Sequence, residues 1–471
     1  MASAAATLIL RNKASKKRGV MEYEYTFGLM GDALAGARGG EQVDAAGERP
    51  AVGRLLLKGG RVVDPANGVD AICDVLLQDG SVESVATAIT PDHGDTVIDC
   101  KGLYVLPGLI DMHLHIGDLF EVSTEPIVCA AQDGVTTALS PGAGNTFMAP
   151  SLLGAEVDRG LPINVGVYLG AANVLGTLLS TEELIALFRG ELDGETMSRK
   201  MTRNAITNTT APLTIGIKDH MGHFIMSDEN IDRIYRITSE AGLVYMSHTQ
   251  DPAHAERLVS LSDGRPIHLA HATAAGCGTH ADPVEGMRRV LNLVDGETVT
   301  AEFVTSMLRR GRGSREGLQM PRDAQEVALQ ALADGKVKIL ISDGQNQATM
   351  KGFGDTRDDI PAIIELVEQG VLSLSDAVAT MTANPAALLA RRTRNSWWSE
   401  KMGNLGAGAL ANVTVVDPDD KLATYTIVNG EIVSFENRLV RRGNGAGGWV
   451  SRFGMVRRTG VGDLAMFSRE H

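Results

Sequence analysis

The sequence predicts an α/β chain: a parallel (β/α)8 barrel carrying a small β-sandwich domain built from its N- and C-terminal segments. Three observations predict it. Short apolar runs alternate with amphipathic stretches of helical length through the middle of the chain, and these runs number eight. Short strands separated by turn residues occur before that region and again after it. The composition agrees, with 471 residues that are 44% hydrophobic, 53 glycines and only 4% aromatics, which suits many short βα turns. Eight strand–helix units close into a barrel of the TIM type, with chemistry at the strand C-termini.

Residues 1–52 are rich in Ala and Gly without sustained periodicity and read as an N-terminal extension. Arg11, Lys13, Lys16, Lys17 and Arg18 occur there with no acid among the first nineteen residues, yet no apolar core or cleavage site of a targeting segment follows. A disordered extension, or a true start at Met21 or Met30, is the expectation. Order is expected from Arg54–Asp64 onward, where Gly59-Gly60, Asn67-Gly68 and Asp79-Gly80 punctuate apolar runs as in short antiparallel strands. The pattern returns at Ala411–Asp417 and Tyr425–Val433, so residues 53–106 and 406–436 are expected to form one small β domain.

Residues 107–405 are assigned to the barrel, the first strand leading in from just before them. The strand runs are Leu103–Ile110, Val135–Leu139, Ile163–Leu169, Leu213–Ile217, Leu243–Met246, Ile267–Ala270, Val299–Val304 and Val337–Ile341. Between them, Asp228–Ala241, Asp323–Ala333 and Ile360–Gln369 carry apolar residues at three-to-four spacing, as helices do. Residues 437–471 are rich in Gly and Arg and too poor in apolar residues for a core of their own. Trp449, Phe453 and Phe467 are its possible anchors, and disorder is the bland alternative.

A formal net charge of −14 disfavours a nucleic-acid partner. No apolar run reaches the ~18 residues needed to span a bilayer. Cys73, Cys100, Cys129 and Cys277 lie far apart with no CxxC pair, so buried free thiols are expected rather than disulfides or a zinc knuckle. A cytoplasmic protein with a small-molecule substrate fits these limits.

Residues able to bind metal stand at the ends of the strand runs. His113 and His115 close the first; an i, i+2 pair on a strand projects both rings to one face, where they can converge on one ion. Lys218, His248, His271 and Asp343 close the fourth, fifth, sixth and eighth. The intervals are 103 residues from His115 to Lys218, 30 to His248, 23 to His271 and 72 to Asp343, or three, one, one and two βα units. Each residue alone has a bland alternative: a satisfied core histidine, a lysine paired with Asp219 or Asp343, a turn aspartate before Gly344. Six at strand ends together point to a metal centre. His268 is out of phase with His271 and reads as structural, while His93, His254, His280 and His471 have no place in the set.

At this point the sequence resembles the amidohydrolase superfamily over roughly residues 54–436. Val97–His115 is similar to that family's approach to strand one, and Thr382–Ala386 and Gly408–Asp417 to its C-terminal signatures. The strand-four lysine places the resemblance in the binuclear branch of dihydroorotases, hydantoinases, isoaspartyl dipeptidases and related deacetylases. That resemblance implies a carbamate on Lys218 bridging two divalent ions, with His113 and His115 on one and His248 and His271 on the other. Zinc suits imidazole and carboxylate ligands, although manganese or iron also fits. Metal-activated water would then attack the amide, with Asp343 moving the proton to the leaving nitrogen.

The substrate is left more open. The family's HxHxR pattern of dihydroorotases is absent, since position 117 is Gly. Gly144–Pro150 nevertheless looks like the dihydroorotase loop whose asparagine holds a carboxylate, which makes Asn145 a candidate contact or simply a turn residue. Gly216–His220 and Ser342–Asn346 look more like the dipeptidase and deacetylase branch, which adds His220. Arg309, Arg310, Arg312 and Arg315 follow strand seven and are candidates for clamping a substrate carboxylate, or for a solvated loop. A cyclic amide or imide is the leading expectation, with linear N-acyl or isopeptide substrates next. A mononuclear deaminase and a catalytically dead scaffold are the other classes, opposed respectively by Lys218 and by the complete ligand set. By resemblance to hydantoinase assemblies, the tail is expected to pack on a neighbouring subunit of a homodimer or homotetramer through Trp449, Phe453 and Phe467.

Overall fold

The computed structural model describes residues 43–44, 53–116, 124–142, 144–220, 225–312, 319–344, 352–436, 438–440 and 445–458. Arg315, His223, Phe467 and nearly all of the N-terminal extension lie outside these residues. The barrel strands are β1 (Leu109–Asp111), β2 (Val135–Ser140), β3 (Asn164–Gly170), β4 (Gly216–Asp219), β5 (Val244–His248), β6 (Ile267–Ala270), β7 (Val299–Val304) and β8 (Ile339–Ile341). Each pairs in parallel with the next. The circuit is completed without a strand ladder: Ser342 N donates to the Asp111 carboxylate at 3.4 Å, and Ile110 N and Leu340 N donate to Met381 O and Thr380 O.

The helices form for local reasons the sequence displays. In Asp228–Ala241, Ser227 caps the N-terminus by accepting from Asn230 N, and left-handed Gly242 ends the last turn. Ile231, Ile234, Tyr235, Ile237 and Ala241 bury one face against the barrel. One large apolar core runs through the barrel, and a second lies within the small domain among Leu57, Val75, Val105, Val413 and Ile427. Among the described residues no helix is long and apolar enough to cross a membrane. All four cysteines are free; Cys73 and Cys100 are buried, Cys129 and Cys277 half-buried.

The small domain is a nine-stranded, mostly antiparallel sheet from Leu55–Ala86, Thr96–Pro107 and Val413–Leu439. The expected first strand, Leu103–Ile110, is divided between the two sheets. Tyr104–Pro107 pairs with Val413–Val416 in the small domain, and Leu109–Asp111 enters the barrel. Gly108 stands at the break, and glycine is required there because a Cβ would sit 2.3 Å from Thr136 Oγ1.

The tail departs from expectation. Trp449–Ser451 and Gly454–Arg458 form a hairpin that joins β3 near its start, through Trp449 and Val165. Trp449 and Phe453 are buried in this chain's own core, which leaves neither ring for a neighbouring subunit. Replacing so large a buried ring with Ala typically costs ~3–5 kcal/mol. Trp449→Ala is therefore expected to lower the urea midpoint sharply, with particle mass by light scattering unchanged; a change of mass without loss of stability would restore the intersubunit role.

Candidate metal centre

The chain leaves β1 directly into the site. His113 and His115 are both buried, and below them the Asp111 carboxylate accepts from His113 N at 3.0 Å and from the Ser342 hydroxyl. Burial pushes Asp111 up to about 6 against the pull of those hydrogen bonds. His115 N donates to Gly344 O at 2.9 Å, so the exits of β1 and β8 are fastened together.

Asp343 follows β8 in a left-handed conformation, φ 49°, and His271 follows β6 at φ 35°. Such backbone strain in non-glycine residues is sustained only where surroundings enforce it, and it concentrates at functional sites. Asp343 Oδ1 lies 3.1 Å from His113 Nε2 and 3.1 Å from His115 Nε2, and the three ligand atoms fall within 4.8 Å of one another. Its other oxygen accepts from Phe353 N at 2.9 Å. Burial raises the Asp343 pKa, but His113, His115 and the Phe353 N–H outweigh it and hold the carboxyl below its usual range.

The remaining rings continue around the barrel mouth. Ring centroids are 5.1 Å apart for His113 and His271, 4.4 Å for His271 and His248, 5.9 Å for His248 and His220, and 6.3 Å for His220 and His115. Burial, reinforced by neighbouring positive groups, lowers the pKa of His113, His220, His248 and His271, that of His248 to about 3. Neutral imidazoles with available lone pairs are what a divalent ion needs.

Lys218, the penultimate residue of β4, is fully buried, and its Nζ has no hydrogen-bond partner among the described residues. Neither Asp219 nor Asp343 pairs with it. Asp219 Oδ2 faces His254 Nε2 at 3.0 Å and accepts from the Ser247 hydroxyl at 3.2 Å, while its Oδ1 is buried without a partner among the described residues. Burial pulls the Lys218 amine down to about 8. His248 Nδ1 and His271 Nδ1 are likewise buried without partners. Buried polar atoms left unpaired cost stability and call for an explanation. Three of these atoms belong to residues that strand position singled out; elsewhere in the fold, Tyr168 Oη, Trp398 Nε1 and Trp449 Nε1 are also buried without partners.

The substrate-contact expectations fare differently. His220 joins the ring of histidines. Asn145 is buried, and its amide donates to Tyr168 O at 3.1 Å, which fastens the loop after β2 to β3. Of the four candidate arginines, two are engaged within the chain. Arg309 grips both Glu365 oxygens, at 3.0 and 2.7 Å, and also pairs with Asp358. Arg312 makes two 3.1 Å bonds to Asp358. Those forks are filled from within the chain, while Arg310 is exposed. Two residues of the site escaped the sequence reading. Phe353 lies against His271 and His248 at 5.0 and 6.2 Å, and Glu302 sits under His113.

Residues 104–437 match the amidohydrolase family. A dihydroorotase of Trichlorobacter lovleyi is 28% identical over 399 residues, covering 77% of this chain and 89% of that one. A solved D-hydantoinase superposes with a TM-score of 0.64 at 18% identity, over 85% of this chain and 100% of the other. A β-aspartyl dipeptidase of Fervidobacterium islandicum AW-1 gives 0.54 at 17% identity, over 83% and 99%.

Proposed function

The chain belongs to the amidohydrolase family, and on that premise we propose that it is a metal-dependent hydrolase that opens the C–N bond of a cyclic amide or imide. The observation that carries this reading is the convergence of His113 Nε2, His115 Nε2 and Asp343 Oδ1 in the same barrel mouth as the unpaired Lys218 amine. The likeness to a dihydroorotase and the hydantoinase-like fold support a ring substrate.

In this reading the neutral Lys218 amine adds to carbon dioxide: an N–C bond forms, a proton leaves, and the resulting carbamate offers two oxygens as ligands. His113 and His115 would hold one divalent ion and His248 and His271 a second, zinc being the best match to such donors. Bound ions would lower the pKa of a water molecule and polarise the substrate carbonyl. Asp343 takes up the attacking water's proton at Oδ1, the oxygen that faces the histidines, while Phe353 N–H holds Oδ2 in place. The same proton passes to the departing nitrogen as the C–N bond breaks, leaving a carboxylate and a freed nitrogen. Phe353 covers His248 and His271 and keeps bulk water from that side.

Elemental analysis and a substrate panel test this together. About two divalent ions per chain are expected, with ring opening of hydantoins, dihydropyrimidines or dihydroorotate that a chelator abolishes and added metal restores. One ion with ammonia release from an exocyclic amine would favour a deaminase, and no ion a scaffold. Cleavage confined to N-acyl amino acids or isopeptides would move the substrate to linear amides.

A further inference from the structure

Strand β7 reads Val299-Thr-Ala-Glu-Phe-Val304, and its single charge, Glu302, is completely buried. A carboxylate removed from water costs several kcal/mol unless donors surround it. Glu302 has three. Its Oε1 lies 2.5 Å from His113 Nδ1 and accepts from His271 N at 3.2 Å; its Oε2 lies 2.9 Å from His268 Nε2. His268 is fixed in turn by Thr300 Oγ1, 2.9 Å from its Nδ1, and that hydroxyl also accepts from Arg392 at 3.3 Å.

This arrangement decides which nitrogen of His113 carries the proton. An ionised carboxylate only accepts, so the facing Nδ1 must be the N–H, and in a neutral ring Nε2 is then the lone pair. Nε2 is the atom 3.1 Å from Asp343 Oδ1, in the candidate metal position. We propose that Glu302 is a positioning residue for the metal centre: held by His268 and the His271 N–H, it fixes His113 in the tautomer whose Nε2 faces the ion. The inference rests on reading His113 as a ligand. His268, read from the sequence as structural, becomes the support that lets an anion sit beneath the site.

Glu302→Gln keeps the size of the side chain but presents an NH2 to one of two rings that each need an acceptor. Loss of such a supporting partner commonly weakens metal binding ~10–100-fold. The experiment titrates zinc and cobalt into metal-free, full-length wild type, Glu302→Gln, Glu302→Asp and His113→Ala, and records the melting temperature of each metal-free protein. The expected result is that Glu302→Gln weakens one of two zinc sites by that factor, the same site that His113→Ala removes. The cobalt absorption bands should shift while the other site is unchanged. Glu302→Asp, a methylene too short to span His113 and His268, should act in the same direction and stands in if the Gln variant does not fold. Wild-type zinc affinity at both sites in the Gln variant would overturn the inference. So would equal weakening at both sites with a lowered metal-free melting temperature, the mark of a merely structural residue. If His113→Ala loses a site and Glu302→Gln keeps both, only this inference falls; if wild type binds no zinc, the proposed function falls with it.

Discussion

Lys218→Ala is expected to lose nearly all turnover, by ~10³-fold or more, a larger effect than removing one transition-state hydrogen-bond donor, which costs ~10²–10³-fold. The reason is where the amine sits. It is buried near the end of β4 without a hydrogen-bond partner among the described residues, its pKa drawn down to about 8 by burial, so a substantial neutral fraction is present near that pH. The neutral amine is the form that adds to carbon dioxide. Alanine would remove the proposed bridging carbamate and leave room for a small carboxylate, so acetate or propionate is expected to restore part of the metal content and part of the rate. Assays with and without the added acid, paired with elemental analysis, check this. Unmodified lysine in the active enzyme, seen by intact-protein mass and by diffraction, would sink the assignment, as would a Lys218→Ala enzyme of ordinary kcat.

Asp343→Asn is expected to lower kcat by ~10²–10⁴-fold, the usual worth of a general acid–base group. The amide keeps one oxygen that can face the ion, at the cost of the bond from Phe353 N–H, which used the other carboxylate oxygen, so metal content should fall only modestly. The carboxyl of the native residue is held below its usual range, which keeps it ionised and ready to accept a proton at neutral pH. Near-normal kcat in this variant would place the shuttle elsewhere. His220 would then be the next residue to change, since its ring lies 5.9 Å from His248 and 6.3 Å from His115.

The barrel was legible, and the strand-end residues that line its mouth could be picked out, because both depend on periodicity. A strand buried on two faces reads as an apolar run, and a polar residue ending such a run must stand at the barrel mouth. What escaped depends on partners distant in sequence. Arg309 and Arg312 looked available because Asp358 and Glu365, which hold them, lie tens of residues downstream. Glu302 did leave a signal, a lone charge inside an otherwise uncharged run, but only the fold shows that it faces His113. The C-terminal hairpin was invisible for another reason. Its strands span three and five residues, too short to show alternation, and their pairing partner is the start of β3. Gly108, by contrast, was in plain view, and only its contact with Thr136 shows why glycine is required there.

That break has a mechanical consequence. The polypeptide passes from the small sheet through one glycine into β1, and two residues beyond that strand it reaches His113. Neither body can therefore shift against the other without dragging a metal-facing ring out of line. The small domain acts as a clamp on the height and rotation of the first barrel strand, not as an appendage. A chain beginning at Gly108 is expected to be an insoluble fragment rather than a minimal enzyme. In calorimetry the two bodies of the intact protein should melt together, and any ion that tightens around His113 and His115 should raise the melting of a sheet it never touches.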